Sequence, residues 1–345
     1  MNTRYIFPGL FCLVIGFLSP AVAQTSYDNW NFLIKAANGT MTDSLAILGI
    51  RSDATSGYDN GYDVPRPPRS PSGNYLEAYF PHSGGNYPVV LGSKYAVDYQ
   101  DPADPAWNLS VEASSSGSIT LSWDSSYVSS IEQRVQLFLF DNTSGSLTDM
   151  RLAGRYTFTY SAKRDFQIIG AVKINLHYLM EGFWNGTAQV EDTVRGYLAS
   201  STSPFALIDS SAVFLSGTGT AMLSFPHAAS GSYYLMVRHR NHLEIWSAAP
   251  HSLVKGTTGI SSYDFTTGSG TAFGANALKQ VGSSYVAWGG DVNQDGVVDF
   301  LDRNLTWNNR TLNGYLSTDC NGDVVTDSND YTIVLGNRLK IRQHP

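Results

Sequence analysis

The sequence predicts a mainly β protein, in which two consecutive β-sandwich domains precede a small α-helical module. Three observations support this fold class. Only 15% of the 345 residues are charged, while 12% are aromatic, a composition that suits sheets better than a helical bundle. Apolar side chains recur at every second position in short runs separated by Gly, Pro, Asn and Asp. Beyond Gly290 the pattern changes to two acidic loops, each followed by a helical segment.

The first 23 residues predict a secretory signal peptide. Arg4 gives the segment a positive start, residues 6–18 form a mostly apolar core, and residues 21–23 form a small-residue cleavage site. No later stretch approaches the roughly 18 consecutive apolar residues of a membrane-spanning helix. We therefore expect the chain from Gln24 onward to be secreted, extracellular or attached to a cell surface by contacts, without a membrane span.

The net charge and the cysteines limit the partners and the covalent links. The formal net charge is −7, which argues against a nucleic-acid partner because proteins that bind nucleic acids usually present a basic surface. Cys12 lies in the predicted signal peptide, so Cys320 is left without an internal disulfide partner. We interpret Cys320 either as a small buried side chain or as a link between two chains.

Residues 24–169 predict an N-terminal, Tyr-rich β-sandwich. Ile119, Leu121 and Trp123 alternate with small polar residues, as in a half-buried strand. Phe138 interrupts the polar side of another predicted strand. Further strand patterns carry apolar side chains at Val135, Leu137, Leu139, Tyr156, Phe158, Tyr160, Phe166 and Ile168.

Residues 170–285 predict a second, smaller β-sandwich. Val172, Ile174 and Leu176 alternate with polar residues, which is typical of a strand with one buried face. The apolar segments at 213–215 and 223–225 flank a Gly-Thr-Gly turn, and this arrangement predicts a β-hairpin.

The strongest motif is an acidic loop at residues 291–302. Oxygen-bearing side chains occupy positions 1, 3, 5, 9 and 12 of this loop, and Gly296 occupies position 6. This is the spacing of a calcium loop, in which position 7 contributes its backbone carbonyl. Oxygen donors of this kind select calcium over zinc or copper. The predicted calcium ligands are Asp291, Asn293, Asp295, Val297, Asp299 and Asp302.

The same spacing returns at residues 319–330 and predicts a second calcium site. Val324 takes the place of the turn glycine. A β-branched residue is strained at positive φ, so two outcomes stay open: this loop bends differently, or it binds calcium less tightly. The predicted ligands of this second site are Asp319, Asn321, Asp323, Val325, Asp327 and Asp330.

A short helix is predicted after each loop, at residues 301–310 and 328–339. The side chains expected to pack the two helices together are Leu305, Trp307, Ile333, Val334 and Leu335. A unit of this size has a small core. We therefore expect calcium to contribute folding free energy, because it binds only the folded form.

This EF-hand-type loop–helix pair, at about residues 290–339 of a module at 286–345, resembles a type I dockerin. The resemblance implies that both repeats bind calcium and that the helices dock onto a cohesin-like partner. Many dockerins carry a matched hydroxyl pair after position 9, where this chain has Phe300-Leu301 in one repeat and Ser328-Asn329 in the other. Two explanations of this departure stay open: a different protein partner, or packing of the module against the chain's own second sandwich.

Residues 231–243 (GSYYLMVRHRNHL) resemble a segment common in secreted bacterial proteins, where it lies just before calcium-binding repeats. The resemblance implies a transthyretin-like or immunoglobulin-like fold for the second domain and no established chemistry. His239, His242 and Glu244 lie close together here and raise the question of a zinc site. Residues three apart on one strand point to opposite faces, so we expect the two histidines not to converge.

Two weaker patterns concern the first sandwich. Aromatic side chains beside carboxylates suit the binding of a glycan, although we favour a role in the core and turns, which is ordinary for tyrosines in a β-sandwich. These aromatic residues are Tyr58, Tyr62, Tyr75, Tyr79, Tyr87, Tyr95, Tyr99 and Trp107. Glycoside hydrolysis needs two carboxylates held about 5–9.5 Å apart. The sequence pairs no two of the available carboxylates, which are Glu77, Asp98, Asp101, Asp104, Asp124 and Glu132.

These patterns favour a secreted, non-catalytic protein whose calcium-binding module mediates extracellular protein–protein assembly or surface attachment. The sequence contains no nucleophile-elbow, phosphate-binding or dinucleotide motif, so no catalytic residue is predicted. The alternative is carbohydrate binding, or less readily polysaccharide hydrolysis, by the first sandwich with the module as a docking handle. A third interpretation is that the module is only a structural cap.

Overall fold

The computed structural model describes residues 29–345 except 70–72, 83–85, 103–104, 132–135 and 257–259. The predicted signal peptide lies outside the described residues, as do Val135, Asp104 and Glu132. The described part is mainly β and contains several sheets, which confirms the predicted main class. None of the helices that the structure describes is long and apolar enough to cross a membrane.

The described residues up to Ile169 form one 11-stranded sheet. Its strands run in the order β10-β7-β1-β2-β5-β4-β6-β11-β8-β9, with β3 paired to β5, and only the β2–β5 pair is parallel. The helix α1 (Ser125–Ser130) connects β7 to β8. The strands are β1 (Trp30–Ala37), β2 (Thr42–Ile50), β3 (Val64–Pro65), β4 (Leu76–Pro81), β5 (Lys94–Gln100), β6 (Ala106–Ala113), β7 (Gly117–Ser122), β8 (Phe138–Asp141), β9 (Leu147–Asp149), β10 (Arg155–Tyr160) and β11 (Arg164–Ile169).

Two halves of this sheet face each other across one core. The halves are joined where β4 and β5 pair over only two residues each, Phe80 with Tyr95 and Pro81 with Lys94. Side chains from both halves lie in a single buried cluster that includes Ile34, Leu121, Trp107 and Phe166. This arrangement is consistent with the predicted β-sandwich, because alternate residues of each strand face the enclosed core.

The chain continues from Ala171 into a second group of sheets. A four-stranded sheet has the order β15-β12-β19 with β20 paired to β12, and a five-stranded sheet has the order β14-β13-β16-β17 with β18 paired to β16. The pair β21–β22 is separate. The strands are β12 (Ala171–His177), β13 (Asp192–Ser200), β14 (Leu207–Leu215), β15 (Thr220–Phe225), β16 (Gly231–His239), β17 (His242–Trp246), β18 (His251–Leu253), β19 (Lys255–Gly256), β20 (Ser261–Asp264), β21 (Leu278–Val281) and β22 (Ser284–Ala287).

The predicted hairpin at residues 213–225 forms only at its tip. The Ser216 amide donates to the Thr220 carbonyl over 3.0 Å, but β14 then pairs with β13 and β15 pairs with β12. The prediction was therefore wrong for the body of the two strands. Leu215 and Leu223 are both buried in the second core. The two strands therefore belong to different sheets, and each covers this core from its own sheet.

Phe138 interrupts the polar face of β8 because it packs at the passage between the two groups of sheets. It forms a small buried cluster with Ile169 and Ala171. The Ser224 hydroxyl, on β15, also donates to Gln136 Oε1 across this passage over 2.7 Å. The irregular pattern in the sequence thus reflects a contact between the two groups of sheets.

Asp141, at the end of β8, links stability to pH. Its carboxylate is buried and accepts hydrogen bonds from Arg164 Nε at 3.1 Å and from the Tyr156 hydroxyl at 2.7 Å. Burial opposes ionisation, but the Arg164 and Tyr156 bonds outweigh it and lower the pKa of Asp141 from the usual 3.8 to about 2. A lowered pKa in the folded state stabilises the fold wherever the carboxyl is ionised.

We expect this contribution to be fully present above about pH 4 and to be lost as the pH falls towards 2. Urea unfolding of the wild type and of Asp141→Asn across this range measures the effect. The variant should be less stable at neutral pH and should lose less stability than the wild type on acidification. An equal loss in both proteins contradicts the assignment.

Candidate metal centre

Two loop–helix repeats form the C-terminal part of the chain. Loop 1 (residues 291–302) leads into α2 (Phe300–Asn308), and loop 2 (residues 319–330) leads into α3 (Ser328–Gly336). Both helices are shorter than the predicted 301–310 and 328–339. Positions 9 and 12 of each loop form a capping box at the helix start, where a carboxylate also stabilises the helix dipole.

Loop 1 is organised by hydrogen bonds from its backbone to its own acidic side chains. Asp291 Oδ2 accepts from the Gly296 amide at 3.2 Å. Asp302 Oδ1 accepts from the Val292 and Asn293 amides at 2.9 and 3.2 Å. These bonds hold the carboxylates of positions 1 and 12 against backbone amides of residues 292–296.

Loop 2 repeats this pattern of hydrogen bonds. Asp319 Oδ2 accepts from the Val324 amide at 3.2 Å. Asp330 Oδ1 accepts from the Cys320 and Asn321 amides at 2.6 and 3.1 Å. The duplication seen in the sequence is therefore also a duplication of three-dimensional structure.

The two loops bend alike although their glycines differ. Position 6 has a φ of 91° at Gly296 and of 73° at Val324, so of the two outcomes left open for loop 2, a different bend is contradicted and weaker calcium binding stays a prediction. Position 4 is also left-handed in both loops, with a φ of 61° at Gln294 and of 76° at Gly322. Each loop thus has two left-handed positions and one glycine to occupy them. A Cβ at Gly322 would lie only 2.7 Å from Phe183 Cε1, so close packing requires glycine there.

The burial and charge of the loop 1 carboxylates fit a cation that prefers oxygen ligands. Asp291 is buried, and its Oδ1 has no hydrogen-bond partner in the part of the chain that the structure describes. Burial, followed by the nearby charges of Asp302 and Asp295, raises the pKa of Asp291 to about 7. Burial likewise raises the pKa of Asp302 and of Asp330 in loop 2. An unpaired buried carboxylate is costly, and a bound calcium ion would remove this penalty.

The donor set does not consist of carboxylates alone. Among the residues that the structure describes, no group of three or more His, Cys, Asp or Glu side chains is positioned to hold a metal ion by itself. The ligand set predicted for each loop contains four aspartates, and the described side chains do not gather three of them around one point, so calcium binding stays a prediction. An asparagine oxygen, a backbone carbonyl and water would complete the coordination. Asn293 with Val297, and Asn321 with Val325, occupy the corresponding positions.

Each loop is also bridged to the segment that follows the helix of the other repeat. Val297 of loop 1 pairs with Ile341, which follows α3, and Val325 of loop 2 pairs with Asn313, which follows α2. The two repeats therefore brace each other through backbone bonds as well as through the Trp307–Tyr331 ring contact, at 5.3 Å between centroids.

The module packs against the chain's own second sandwich, one of the two explanations left open by the sequence. Cys320, Val298 and Val334 share a buried cluster with Leu243 of β17. The side-chain Nδ2 of Asn337 donates to Glu181 Oε2 at 2.5 Å and to the Gly289 carbonyl at 2.8 Å. Cys320 itself is fully buried, as expected for a small core side chain.

Only part of the predicted apolar packing between the helices is present in the described structure: the Trp307 ring contacts Tyr331 of α3. Val334 is buried and Ile333 is partly buried, and both face the cluster around Leu243. Leu305, Trp307 and Leu335 are exposed instead. The expectation was wrong for Ile333 and Val334, because α3 turns these side chains towards a second apolar neighbour, the sandwich.

His239 and His242 converge, contrary to the prediction. They lie opposite each other on β16 and β17, with 2.9 Å between their Nδ1 atoms. The prediction treated them as members of one strand, whereas a two-residue turn separates them. Other polar groups of the protein accompany both rings: Asp192 Oδ2 lies 3.1 Å from His239 Nε2, and the Glu181 carbonyl lies 2.9 Å from His242 Nε2. Glu244 pairs with Arg238 at 2.5 Å.

The eight aromatic residues considered for glycan binding mostly pack within the first sandwich. Tyr79, Tyr95 and Trp107 are buried, and the other five are half-buried, so none of the eight is an exposed platform.

The carboxylates considered for catalysis have structural roles in several cases. Glu77 pairs with Arg69 and Lys94, Asp98 contacts His82, Asp124 caps α1, and Asp101 follows β5.

The strain at Val324 gives a test of the loop geometry. A left-handed non-glycine residue costs about 1–2 kcal/mol, and the Val324 side chain is 55% exposed, so little packing is lost with it. We expect Val324→Gly to raise the free energy of unfolding by about 1 kcal/mol. Urea unfolding of the full chain, in calcium and in chelator, measures this change.

The matched control is Val325→Gly. Val325 lies next in the chain and has no positive φ, so the same substitution should destabilise the protein by about 0.5–1 kcal/mol. Equal destabilisation by both variants contradicts a left-handed position 6 in loop 2.

Comparison with known proteins does not assign the chain to a family. No protein-family model matches it. No curated protein matches it either. Two solved structures share a weak likeness, both interface mutants of a type II cohesin-X-dockerin complex from Acetivibrio cellulolyticus. The C-terminal interface mutant has a TM-score of 0.30 and 14% identity over 49% of this chain and 97% of its own. The N-terminal interface mutant has a TM-score of 0.28 and 15% identity over 50% and 95%. Likeness at this level does not establish a shared fold.

Proposed function

We propose that this protein is a secreted, non-catalytic assembly or attachment protein whose C-terminal module binds two calcium ions and then contacts another extracellular protein. The observation that carries the proposal is the duplicated set of buried aspartates held by loop amides, with Asp291 Oδ1 left without a hydrogen-bond partner among the described residues. A hard cation with several oxygen ligands suits such a set.

The ligands would be the six positions predicted for each loop. The ion would supply positive charge, which lets positions 1 and 12 stay ionised although they are buried. The backbone amides that already bond to Asp302 and Asp330 hold these carboxylates in place before an ion arrives. Calcium binding would then stabilise the folded module by mass action.

The surface proposed for the partner is the outer side of α2. Phe300, Leu301, Leu305 and Trp307 are all exposed there, and grouped exposed apolar side chains are typical of interaction sites. The resemblance to dockerins implies a cohesin-like partner. Because Phe300 and Leu301 stand where many dockerins have hydroxyls, the partner would present an apolar rather than a polar complement.

A second role is favoured by the contacts between the module and the second sandwich. The buried cluster of Leu243 with Val298, Cys320 and Val334 makes the module part of a shared core. On this interpretation the module is a calcium-dependent cap that stabilises the sandwich and contacts no partner.

Calcium titration of the full chain tests the metal sites. We expect two bound ions in the wild type, one in Asp291→Ala and one in Asp319→Ala. At a free calcium concentration 100 times the Kd, each filled site should stabilise the fold by about 2.7 kcal/mol, and chelator should remove this gain. Absence of binding, or thermal melting unchanged by chelator, contradicts the calcium proposal.

Binding to a panel of purified cohesin modules tests the partner surface. We expect binding in calcium that is lost in chelator and is weakened in Leu305→Glu, which places a charge on the exposed side of α2. Leu152→Glu is the control, since Leu152 is 87% exposed in the first sandwich. If the panel stays silent, or if Leu305→Glu binds as tightly as the wild type, the cap interpretation is favoured.

A further inference from the structure

The turn between β16 and β17 is buried against loop 2. His239 and His242 are paired across the two strands, so Arg240 and Asn241 form the whole turn. Asn241 is fully buried, and only 14% of the Arg240 side chain is exposed. Turns usually lie on the surface, and buried polar groups require partners. The partners of these two residues therefore indicate what the turn does.

The Arg240 side chain bonds to the first residue of loop 2. Its Nη1 donates to the carbonyls of Leu316 and Asp319, the latter at 3.1 Å, and its Nη2 lies 3.5 Å from Asp319 Oδ2. The guanidinium also lies over the Tyr315 ring, 4.3 Å from its centroid. The planar guanidinium thus holds the backbone at Leu316 and at Asp319, the two ends of the turn that leads into loop 2.

Asn241 connects the entrances of both loops. Its Nδ2 donates to the Asp319 carbonyl at 2.6 Å. Its own carbonyl accepts from the amide of Gly290, the residue before loop 1, at 2.8 Å. One buried residue of the sandwich therefore contacts the start of loop 2 and the residue that leads into loop 1.

Asp192 balances the charge that Arg240 brings near a cation site. Asp192 Oδ2 accepts from Arg240 Nε at 3.1 Å, and Asp192 Oδ1 accepts from the Tyr315 hydroxyl at 2.6 Å. Because the guanidinium is paired with Asp192, its positive charge opposes a calcium ion in loop 2 less strongly than a free arginine would.

We propose that Arg240 and Asn241 are positioning residues for the calcium site of loop 2, an inference that rests on the proposed calcium binding. They hold Asp319, position 1 of the loop, in its ligating place from outside the loop. Partners of metal ligands tune metal affinity strongly. By linkage, calcium in loop 2 also tightens the contact between the module and the second sandwich.

The test compares Arg240→Ala and Arg240→Lys with Arg238→Ala in the full chain. Arg240→Lys keeps the charge but lacks the fork. Arg238 lies near the end of β16, two residues before Arg240, and pairs with Glu244 at 2.5 Å. Calcium titration gives the Kd of each site, and thermal melting in calcium and in chelator gives the calcium-dependent rise in Tm.

In both Arg240 variants we expect one Kd to rise about 10- to 100-fold and the calcium-dependent rise in Tm to shrink. Asn241→Ala should weaken the same site. Arg238→Ala should leave both Kd values unchanged. A residue with only a structural role would lower Tm equally in calcium and in chelator, and would leave the rise between them intact.

Three results overturn parts of this account, and they are distinguishable. A wild type that binds no calcium overturns the proposed function together with this inference. If both calcium sites keep their wild-type Kd values in Arg240→Lys and in Arg240→Ala, the positioning role alone is overturned. Tighter calcium binding by Arg240→Ala does so as well, because it means that charge repulsion by Arg240 outweighs positioning. If Arg240→Ala fails to fold, Arg240→Lys and Asn241→Ala decide the question.

Discussion

The cost of burying aspartates close together governs the C-terminal part of this protein. Asp291, Asp302, Asp319 and Asp330 are all buried, and their like charges oppose one another in a region of low solvent access. Backbone amides of the loops bond to most of these carboxylate oxygens and orient them, but within the described ranges Asp291 Oδ1 has no hydrogen-bond partner. In loop 1 the structure thus holds a buried carboxylate oxygen that its own described groups do not pair, and this is the physical basis of the calcium site proposed there. In loop 2 the Arg240 guanidinium lies 3.5 Å from Asp319 Oδ2.

The module and the second sandwich behave as one structural unit because they share apolar and polar contacts. Leu243 of β17 contributes to the cluster that contains Cys320 and Val334, and the Arg240-Asn241 turn bonds to Asp319. Such contacts set the direction in which the exposed side of α2 faces. A partner of α2 would therefore meet a surface oriented by the sandwich, whereas a module on a free linker would have no fixed orientation.

The two loops also illustrate that one backbone shape can be reached with different sequences. Loop 1 has glycine at position 6 and Gln294 at position 4, and loop 2 has glycine at position 4 and Val324 at position 6. The Gln294 side chain donates to the Asp291 carbonyl at 2.6 Å, which helps to hold its left-handed conformation. Exposure of Val324 leaves its side chain free of clashes. The hydrogen bonds to positions 1 and 12 impose the bend in both loops.

Local patterns in the sequence were sufficient to predict the mainly β class, the apolar faces of strands such as β7, and the spacing of oxygen donors in the two loops, because each depends on residues near one another in the chain. Tertiary structure decided the rest. Which strand β14 and β15 join, whether His239 meets His242, and which side of α3 is buried all depend on segments distant in sequence. Arg240 and Asn241 were missed for the same reason. Their only signal was a charged and an amide residue between two apolar strands, and their partner in loop 2, Asp319, lies more than seventy residues further along the chain.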